Sequence, residues 1–335
     1  MEYKNSFTQR AGIRFPLVMA PMFLVTNQKM LKAAIRSGIL GCFPSLNFRK
    51  KGELNELLIE LNSFCQQHQG GNYGVNLIVQ KSNTLMAEHL DVCVRNKVPV
   101  YITSLGNPST TIDAAHSYGA MVLCDVTNLT HAEKCARLGC DGFIAVGQGA
   151  GGHAGPFPTN LLVRSLKKHF PDIPVLAAGG IADGPSMLGA IASGASAAYC
   201  GTRFIVSSES SVSEEYIQAV IKAEMKDIVM TDRISGTPCT IINTPYAQKI
   251  GLRQNRLERF LSTNPRTKKY YKMMVQLRGF RWLEKATKPG NYANLWCAGQ
   301  TVELIDKKES VEEIVKEMVS EFELTYRELV SQFND

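Results

Sequence analysis

One short pattern recurs eight times in the first 200 residues of this chain and limits the folds that it can adopt. An apolar run rich in β-branched residues is followed each time by an amphipathic stretch, as expected when parallel strands are joined by crossover helices. Buried parallel strands have nearly continuous apolar sequences, and these runs fit that description. The eight predicted strands are Pro16–Ala20, Leu40–Phe43, Tyr73–Leu77, Pro99–Thr103, Ala120–Asp125, Gly142–Val146, Pro174–Ala178 and Ala197–Gly201.

Glycine recurs where several of the predicted helices end. Gly38, Gly119, Gly139 and Gly194 each stand between a helical stretch and the next strand, at a position where a left-handed residue commonly ends a helix. Eight such units predict a closed α/β fold, a (β/α)8 TIM barrel, as a core over residues 1–206. In this fold the functional residues lie on loops after the carboxyl ends of the strands, so we expect the site there.

Residues 207–335 follow a different pattern, in which no run predicts a strand. Helices are predicted near Ser213–Lys226, Arg253–Leu283 and Ser310–Phe333. The last begins with Ser310 and Glu313 at the spacing of a capping box. We expect a mostly helical extension that packs on the barrel or covers its mouth.

Composition excludes several functional classes. Lys and Arg exceed Asp and Glu by only 37 to 30, which is too small and dispersed an excess to indicate a nucleic-acid partner. The nine cysteines include no CxxC or metal-type cluster, which predicts reduced thiols and no metal site. The first residues lack the order of a signal peptide, and no apolar run approaches the roughly 20 residues of a spanning helix. We expect a cytoplasmic protein that is not embedded in a membrane.

The glycine-rich segment Gly147–Pro158, directly after the sixth predicted strand, is the main candidate for chemistry. Its glycines match the dinucleotide spacing G-x-G-x-x-G, but Pro156 and Pro158 delay any helix until about Thr159, which does not suit a Rossmann domain. Glycines instead let backbone N–H groups approach a flat or anionic ligand and present His153 at the barrel mouth. A histidine there can accept a substrate proton or donate to an oxyanion. The alternative is that it only caps local backbone.

Two further glycine sites follow the seventh and eighth strands. Gly179 and Gly180 follow one strand, and Gly201 and Thr202 follow the other. A phosphate site built from these two loops is a recurring feature of barrels, whereas either pair alone suits an ordinary tight turn. Asp183 is interpreted as a helix N-cap.

Other strand ends carry small or amide side chains. Ala20, Pro21 and Met22 follow the first strand, and Asn76 lies at the end of the third. An amide offers donors and an acceptor, which suits a ligand with a mixed hydrogen-bonding edge, although an asparagine is equally common in turns. The segment 253–288 holds eleven basic residues, which indicate a solvated helix face or a contact with an acidic partner.

The motifs MAPM, GVNL, AGGHAG, AAGGIADG, GTRF, SGTP and LWCAGQ occur in this order from about Val18 to Gln300. Together they resemble the nitronate monooxygenase (2-nitropropane dioxygenase-like) family, which is related to flavin-dependent enoyl-acyl carrier protein reductases. The resemblance implies FMN in the barrel mouth and His153 in the position of the active-site histidine. The residues that it implies for FMN are Ala20, Pro21, Met22, Asn76, Gly151, Gly152, Gly179, Gly180, Gly201 and Thr202, with the phosphate near Gly180, Gly201 and Thr202.

The resemblance also implies a reaction. In this family a nitronate reduces the flavin, which then reacts with O2, and the products are a carbonyl compound and nitrite; the redox power belongs to the cofactor. The partners are then a small-molecule substrate and O2, and a homodimer is one alternative for the oligomeric state. The second hypothesis is NAD(P)H-dependent reduction of an enoyl thioester. A third is a non-redox phosphate-binding barrel, which would need a lysine or paired carboxylates at strand ends, where only Asp125 stands.

Two residues depart from the family pattern. Val146 stands where relatives commonly have Gln or Glu, which removes a polar contact to the flavin. Asp125 stands where some relatives have a basic residue at the end of the fifth strand. A carboxylate at that point disfavours a nearby anionic group.

Overall fold

The structure is a computed structural model that describes residues 3–233, 238–255 and 295–333, together with scattered positions between 258 and 278. Residues 235–237 of the SGTP motif and most of the predicted helix Arg253–Leu283 lie outside the described residues. Within the described ranges, no helix combines the length and the apolar character needed to cross a membrane.

Eight parallel strands close into a barrel, in which each strand pairs with two neighbours and the first strand pairs with the last. The predicted TIM barrel is therefore confirmed. Closure leaves no strand edge open to pair with another chain. The strands are β1 (Leu17–Met19), β2 (Leu40–Pro44), β3 (Asn72–Ile78), β4 (Val100–Ser104), β5 (Met121–Val126), β6 (Gly142–Val146), β8 (Val175–Ala178) and β9 (Ala197–Cys200), with a short β7 (Gly152–His153) outside the barrel.

Helices join these strands and end where the glycines predict. Gly38, Gly119, Gly139 and Gly194 all have positive φ, between 81° and 101°, which glycine adopts without a steric penalty. The helices up to the end of the barrel are α1 (Ser6–Ala11), α2 (Gln28–Arg36), α3 (Glu53–Gln67), α4 (Met86–Arg95), α5 (Ser109–His116), α6 (Leu129–Arg137), α7 (Thr159–His169), α8 (Gly184–Ala192) and α9 (Thr202–Ile205). The predicted start of α7 at Thr159 and the Asp183 cap of α8 are both confirmed.

Two separate hydrophobic clusters form the barrel, one inside the strands and one between strands and helices. Alternate residues of a strand face opposite sides, and the interior cluster takes its members accordingly, such as Ile102, Leu123 and Ile144. The same alternation turns Ser104 and Asp125 toward the interior at the carboxyl end of the barrel. Ser104 and Asp125 therefore line the bottom of the mouth, because the alternation along each strand turns them inward.

The chain after β9 contains strands as well as helices, so the expectation of a tail without strands is wrong. Strands β10 (Ile228–Thr231) and β11 (Cys239–Ile242) pair antiparallel, and β11 also pairs with β7. Each is only four residues long, too short to show a period. Among the described residues, the helices of this part are α10 (Glu214–Lys222), α11 (Pro245–Ile250) and α12 (Val311–Ser331), with a 3₁₀ turn at Gln300–Leu304. The predicted capping box of Ser310 and Glu313 is confirmed.

Helix α12 packs against α8 and α2 on the outside of the barrel. A buried arginine after β9, Arg203, bridges to Glu309 at 2.6 Å and to Glu317 at 3.0 Å. The backbone N–H of Gly184 donates to Glu321 Oε2 at 2.9 Å. These contacts attach the end of the described chain to the loops that follow β8 and β9.

We predict that Gly184→Ala destabilises the protein by about 2 kcal/mol or more, because overpacking a tight contact typically costs this much. An added Cβ would lie 2.2 Å from the backbone nitrogen of Phe322 in α12. The matched control is Gly189→Ala in the same helix, where an added Cβ meets no atom within 4 Å. That variant should gain up to about 1 kcal/mol of stability from helix propensity. Urea unfolding of both variants tests the packing, and equal midpoints would contradict it.

Candidate functional site

Several backbone segments meet at the carboxyl end of the barrel, and most of these contacts leave no room for a side chain. A Cβ atom on Gly179 would lie 2.6 Å from the nitrogen of Ala150, and one on Gly151 would lie 2.9 Å from the nitrogen of Gly299. Thr202 Oγ1 accepts a hydrogen bond from the Gly299 N–H at 3.0 Å. The loops after β6, β8 and β9 and the segment 295–300 thus form one continuous wall.

His153 is held in this wall by backbone pairing. Its partner across the small sheet is Cys239 of β11, and Gly152 pairs with Thr240. The Thr240 hydroxyl donates to the Ala150 carbonyl at 2.7 Å and so ties the glycine loop to β11. A histidine in a paired strand has a fixed backbone direction, which a histidine in a free loop does not.

The imidazole of His153 keeps solvent-accessible surface. The protein around it nevertheless displaces enough water to disfavour the charged ring, and this desolvation lowers the pKa of His153 below its usual value of 6.5. The ring is therefore mainly neutral at pH 7. A neutral imidazole can accept a proton, as a general base must.

The two pairs of residues that follow β8 and β9 lie side by side, because Ala178 and Tyr199 are partners in the barrel. Gly180 has a φ of 80° and faces open space, since an added Cβ would meet nothing within 4 Å. Gly201 faces Ala20, whose Cβ would lie 3.7 Å from an added Cβ. Backbone of both loops can therefore approach a ligand closely.

The turn after β1 is organised by an asparagine that sequence analysis missed. The side chain of Asn47 donates to the carbonyl groups of Met22 and Thr26 and accepts from the N–H of Leu24. The Ala20 N–H donates to Cys200 in β9. Ala20, Pro21 and Met22 are thereby fixed beside Gly201.

Asn76 begins a chain of hydrogen bonds across three neighbouring strands. Its Nδ2 donates to Ser104 Oγ at 2.8 Å, and Ser104 Oγ donates to Oδ2 of Asp125. Leu105, the residue after Ser104, has a φ of 62°, a conformation that is uncommon for leucine and is seen at functional sites. The structure thus joins the predicted Asn76 to Asp125 through a serine that no sequence pattern indicated.

Asp125 is a partly buried carboxyl group at the end of β5. Burial raises its pKa from 3.8 to about 6, and the hydrogen bond from Ser104 opposes this shift. Its Oδ1 is buried and meets no hydrogen-bond donor among the described residues. Val146, the other departure from the family pattern, ends β6 as an apolar neighbour of the interior cluster.

The motif LWCAGQ lies against the glycine loop, and its anchors could not be found by sequence analysis. Trp296 stacks on Tyr216 with 5.4 Å between ring centroids, and the Tyr216 hydroxyl donates to the Cys297 carbonyl. The glycine of the motif, Gly299, then fits against Gly151. All predicted site residues lie around this one mouth, although whether each contacts a cofactor stays a prediction.

Comparisons with known proteins agree on one family. The model of the family "Nitronate monooxygenase" matches residues 4–321. FabK from Thermotoga maritima is 30% identical, with 98% of this chain and 99% of that chain covered and a TM-score of 0.83. A probable nitronate monooxygenase of Staphylococcus aureus (strain Newman) is 27% identical over 74% of this chain and 80% of its own length. A 5-hydroxy-7a-methyl-1-oxo-octahydro-1H-indene-4-carboxyl-CoA dehydrogenase of Mycobacterium tuberculosis is 28% identical over 75% and 69%.

The family whose model matches the chain is an enzyme family that acts on small molecules. The chain belongs to the nitronate monooxygenase family, and it is a flavin-dependent oxidoreductase. The resemblance inferred from the motifs is therefore confirmed.

The residues around the mouth fit a flavin. Gly152 and Gly180 both have positive φ and open space where a side chain would stand, so a flat ring or a phosphate can lie directly against their backbone. The buried Asp125 Oδ1 without a donor and the amide of Asn76 offer polar atoms for a heterocycle edge. The mouth thus combines backbone access with a few polar groups, as ligand pockets do.

We predict that Asp125→Asn stabilises the protein at pH 8 by about 1–2 kcal/mol, less than the full pKa shift implies because water reaches part of the group. The folded pKa lies above the unfolded value of 3.8, so the charged carboxylate destabilises the fold above about pH 6 and this penalty disappears toward pH 4. Urea unfolding at both pH values measures the difference. Asp113→Asn, at an exposed position of α5, serves as the control. An equal gain from Asp125→Asn at both pH values would contradict the prediction.

Proposed function

We propose that this protein uses FMN to oxidise alkyl nitronates, or the nitroalkanes that give rise to them, with O2 to a carbonyl compound and nitrite. The observation that carries the proposal is the position of His153, which backbone pairing with β11 fixes beside the strand-end glycines. Family membership supports a flavin, and the wall of glycines suits its phosphate and ring.

FMN is proposed to bind with its phosphate on the loops after β8 and β9, where Gly179, Gly180, Gly201 and Thr202 stand. Its ring then lies near the turn after β1, near Asn76, and near Gly151 and Gly152. When bound, FMN supplies the two-electron chemistry that the side chains lack. The protein's own contribution is to orient the substrate, to exclude water and to move a proton.

His153 moves that proton in the proposed reaction. The lowered pKa keeps the ring neutral, so a ring nitrogen can accept the proton from the carbon beside a nitro group. The resulting imidazolium lies next to the nitronate oxygens and can donate to them. A substrate supplied as the nitronate does not need this step.

A second candidate is reduction of an enoyl thioester with NAD(P)H. The likeness to FabK, an enoyl-acyl carrier protein reductase, is 30% identity over 98% of this chain and favours it. The carboxylate of Asp125 also suits an uncharged thioester better than an anion.

Flavin reduction without oxygen tests the proposal. The purified protein should carry FMN, identified by its absorbance and by chromatography after release. We expect ethyl nitronate or nitroethane to bleach the flavin anaerobically, while NADH and NADPH leave it oxidised. Bleaching by the nicotinamides alone would assign the second candidate, and a protein that binds no flavin would exclude both.

His153→Asn should keep the fold and the flavin but lose about 100-fold in kcat/KM with nitroethane, since general-base catalysis contributes at least this factor. With ethyl nitronate the loss in kcat/KM should stay below about tenfold, because this substrate has already lost the proton that His153 would remove. The wild-type rate with nitroethane should fall at acidic pH as His153 becomes protonated. Equal losses with both substrates would show that His153 is not the base.

Thr202→Asp should release FMN, because a carboxylate beside the phosphate repels it. The matched control is Thr202→Asn, because asparagine has nearly the same shape as aspartate but carries no charge. We expect the FMN dissociation constant to rise at least about tenfold more in the Asp variant, equivalent to roughly 1.4 kcal/mol. Flavin fluorescence measures both constants, and equal affinities would place the phosphate elsewhere.

A further inference from the structure

We propose that Asp125 is a specificity-determining residue that makes the barrel mouth select an uncharged substrate over an anionic one. The inference rests on the proposed function in that the substrate binds at this mouth. It adds the substrate's charge, which the fold does not determine.

The carboxyl group of Asp125 is held in place. It lies on the inward face of β5 at the carboxyl end, and Ser104 of the neighbouring β4 donates to its Oδ2. Ser104 is itself fixed by the donor group of Asn76 on β3, at 2.8 Å. These two hydrogen bonds hold the Asp125 side chain on the inward face of β5.

No cation in the described part of the chain compensates the carboxylate. Among the described residues, Asp125 forms no ion pair with any Lys, Arg or His, and its Oδ1 meets no donor. The ionisable groups that its charge reaches are Cys42 on β2, Tyr199 on β9 and Cys135 on α6. Burial raises the pKa of Cys42 and of Tyr199, and a hydrogen bond with Cys124 together with burial raises the pKa of Cys135, so all three are neutral at pH 7.

Among the residues that the structure describes, the rest of the mouth supplies little positive charge at neutral pH. Val146 on the adjacent β6 is apolar, and desolvation lowers the pKa of His153, which keeps its ring mainly neutral. An anion that enters therefore meets a carboxylate in a poorly hydrated place, where like charges repel more strongly than in water.

An uncharged nitroalkane avoids this repulsion. When His153 takes its proton, an imidazolium and a nitronate form together, so the net charge of the mouth does not change. A preformed nitronate would instead add one negative charge to the mouth. If Asp125 disfavours a preformed nitronate, the substrate enters as the nitroalkane. His153 is then needed as the base that removes its proton.

Nitroethane and ethyl nitronate, two protonation states of one molecule, test the selection at pH 8. In Asp125→Asn, kcat/KM for ethyl nitronate should rise by about tenfold or more relative to that for nitroethane, as expected for removing a nearby like charge. Asp113→Asn should leave the ratio at its wild-type value. An unchanged ratio in Asp125→Asn would overturn the proposal.

A second pair of probes works without turnover. Propionamide and propionate have nearly the same shape but differ in charge, and their binding can be followed by the shift in flavin absorbance. Wild type should favour propionamide at pH 8, and Asp125→Asn should reduce that preference by about tenfold. This result would support selection against anions even if nitro compounds were not substrates. The test therefore separates a failure of the proposed function from a failure of the charge selection. No preference in the wild type would overturn it.

A pH series on the wild type covers the case in which Asp125→Asn does not fold. The preference for propionamide should fall as Asp125 is protonated between pH 8 and pH 5.5. Protonation of His153 also favours the anion, so the same series on His153→Asn isolates the part due to Asp125. A preference that does not change with pH in His153→Asn would overturn the proposal.

Discussion

The antiparallel pairing of β7 with β11 is the interaction on which the arrangement of the site depends. It joins a two-residue strand in the glycine loop to a strand that comes more than eighty residues later. Because backbone hydrogen bonds fix this pairing, they set the backbone direction at His153. The glycines on either side allow the approach, since a Cβ on Gly151 or Gly299 would lie within 3 Å of backbone atoms of the facing segment.

The barrel could be predicted from sequence because the residues that define each strand, helix end and cap are close together in the chain. Each strand is a continuous apolar run, and each glycine at a helix end is required by a positive φ that other residues rarely adopt. Asp183 and Ser310 cap helices through bonds to residues three positions away, so a short motif contains both partners. Closure then follows from having eight such units.

The parts that sequence analysis missed depend on contacts between distant residues. Strands β10 and β11 are too short to show a period, and β7 has only two residues. The role of Ser104 depends on its position between Asn76 and Asp125, which a serine at a strand end does not reveal. Asn47 likewise organises a turn that precedes it by more than twenty residues. The candidate residues could be located at strand ends, but the bonds that orient them could not.

Gly299 belongs to a part of the chain that the ribosome delivers after the whole barrel. The segment 295–300 and α12 are therefore synthesised after all the strands and helices of the barrel, and they supply one wall of the mouth. Chain completion adds the wall by placing Gly299 on Gly151 and Thr202 and by seating α12 against α8. The enclosure of the mouth thus depends on residues that the chain supplies only after every strand of the barrel has been made.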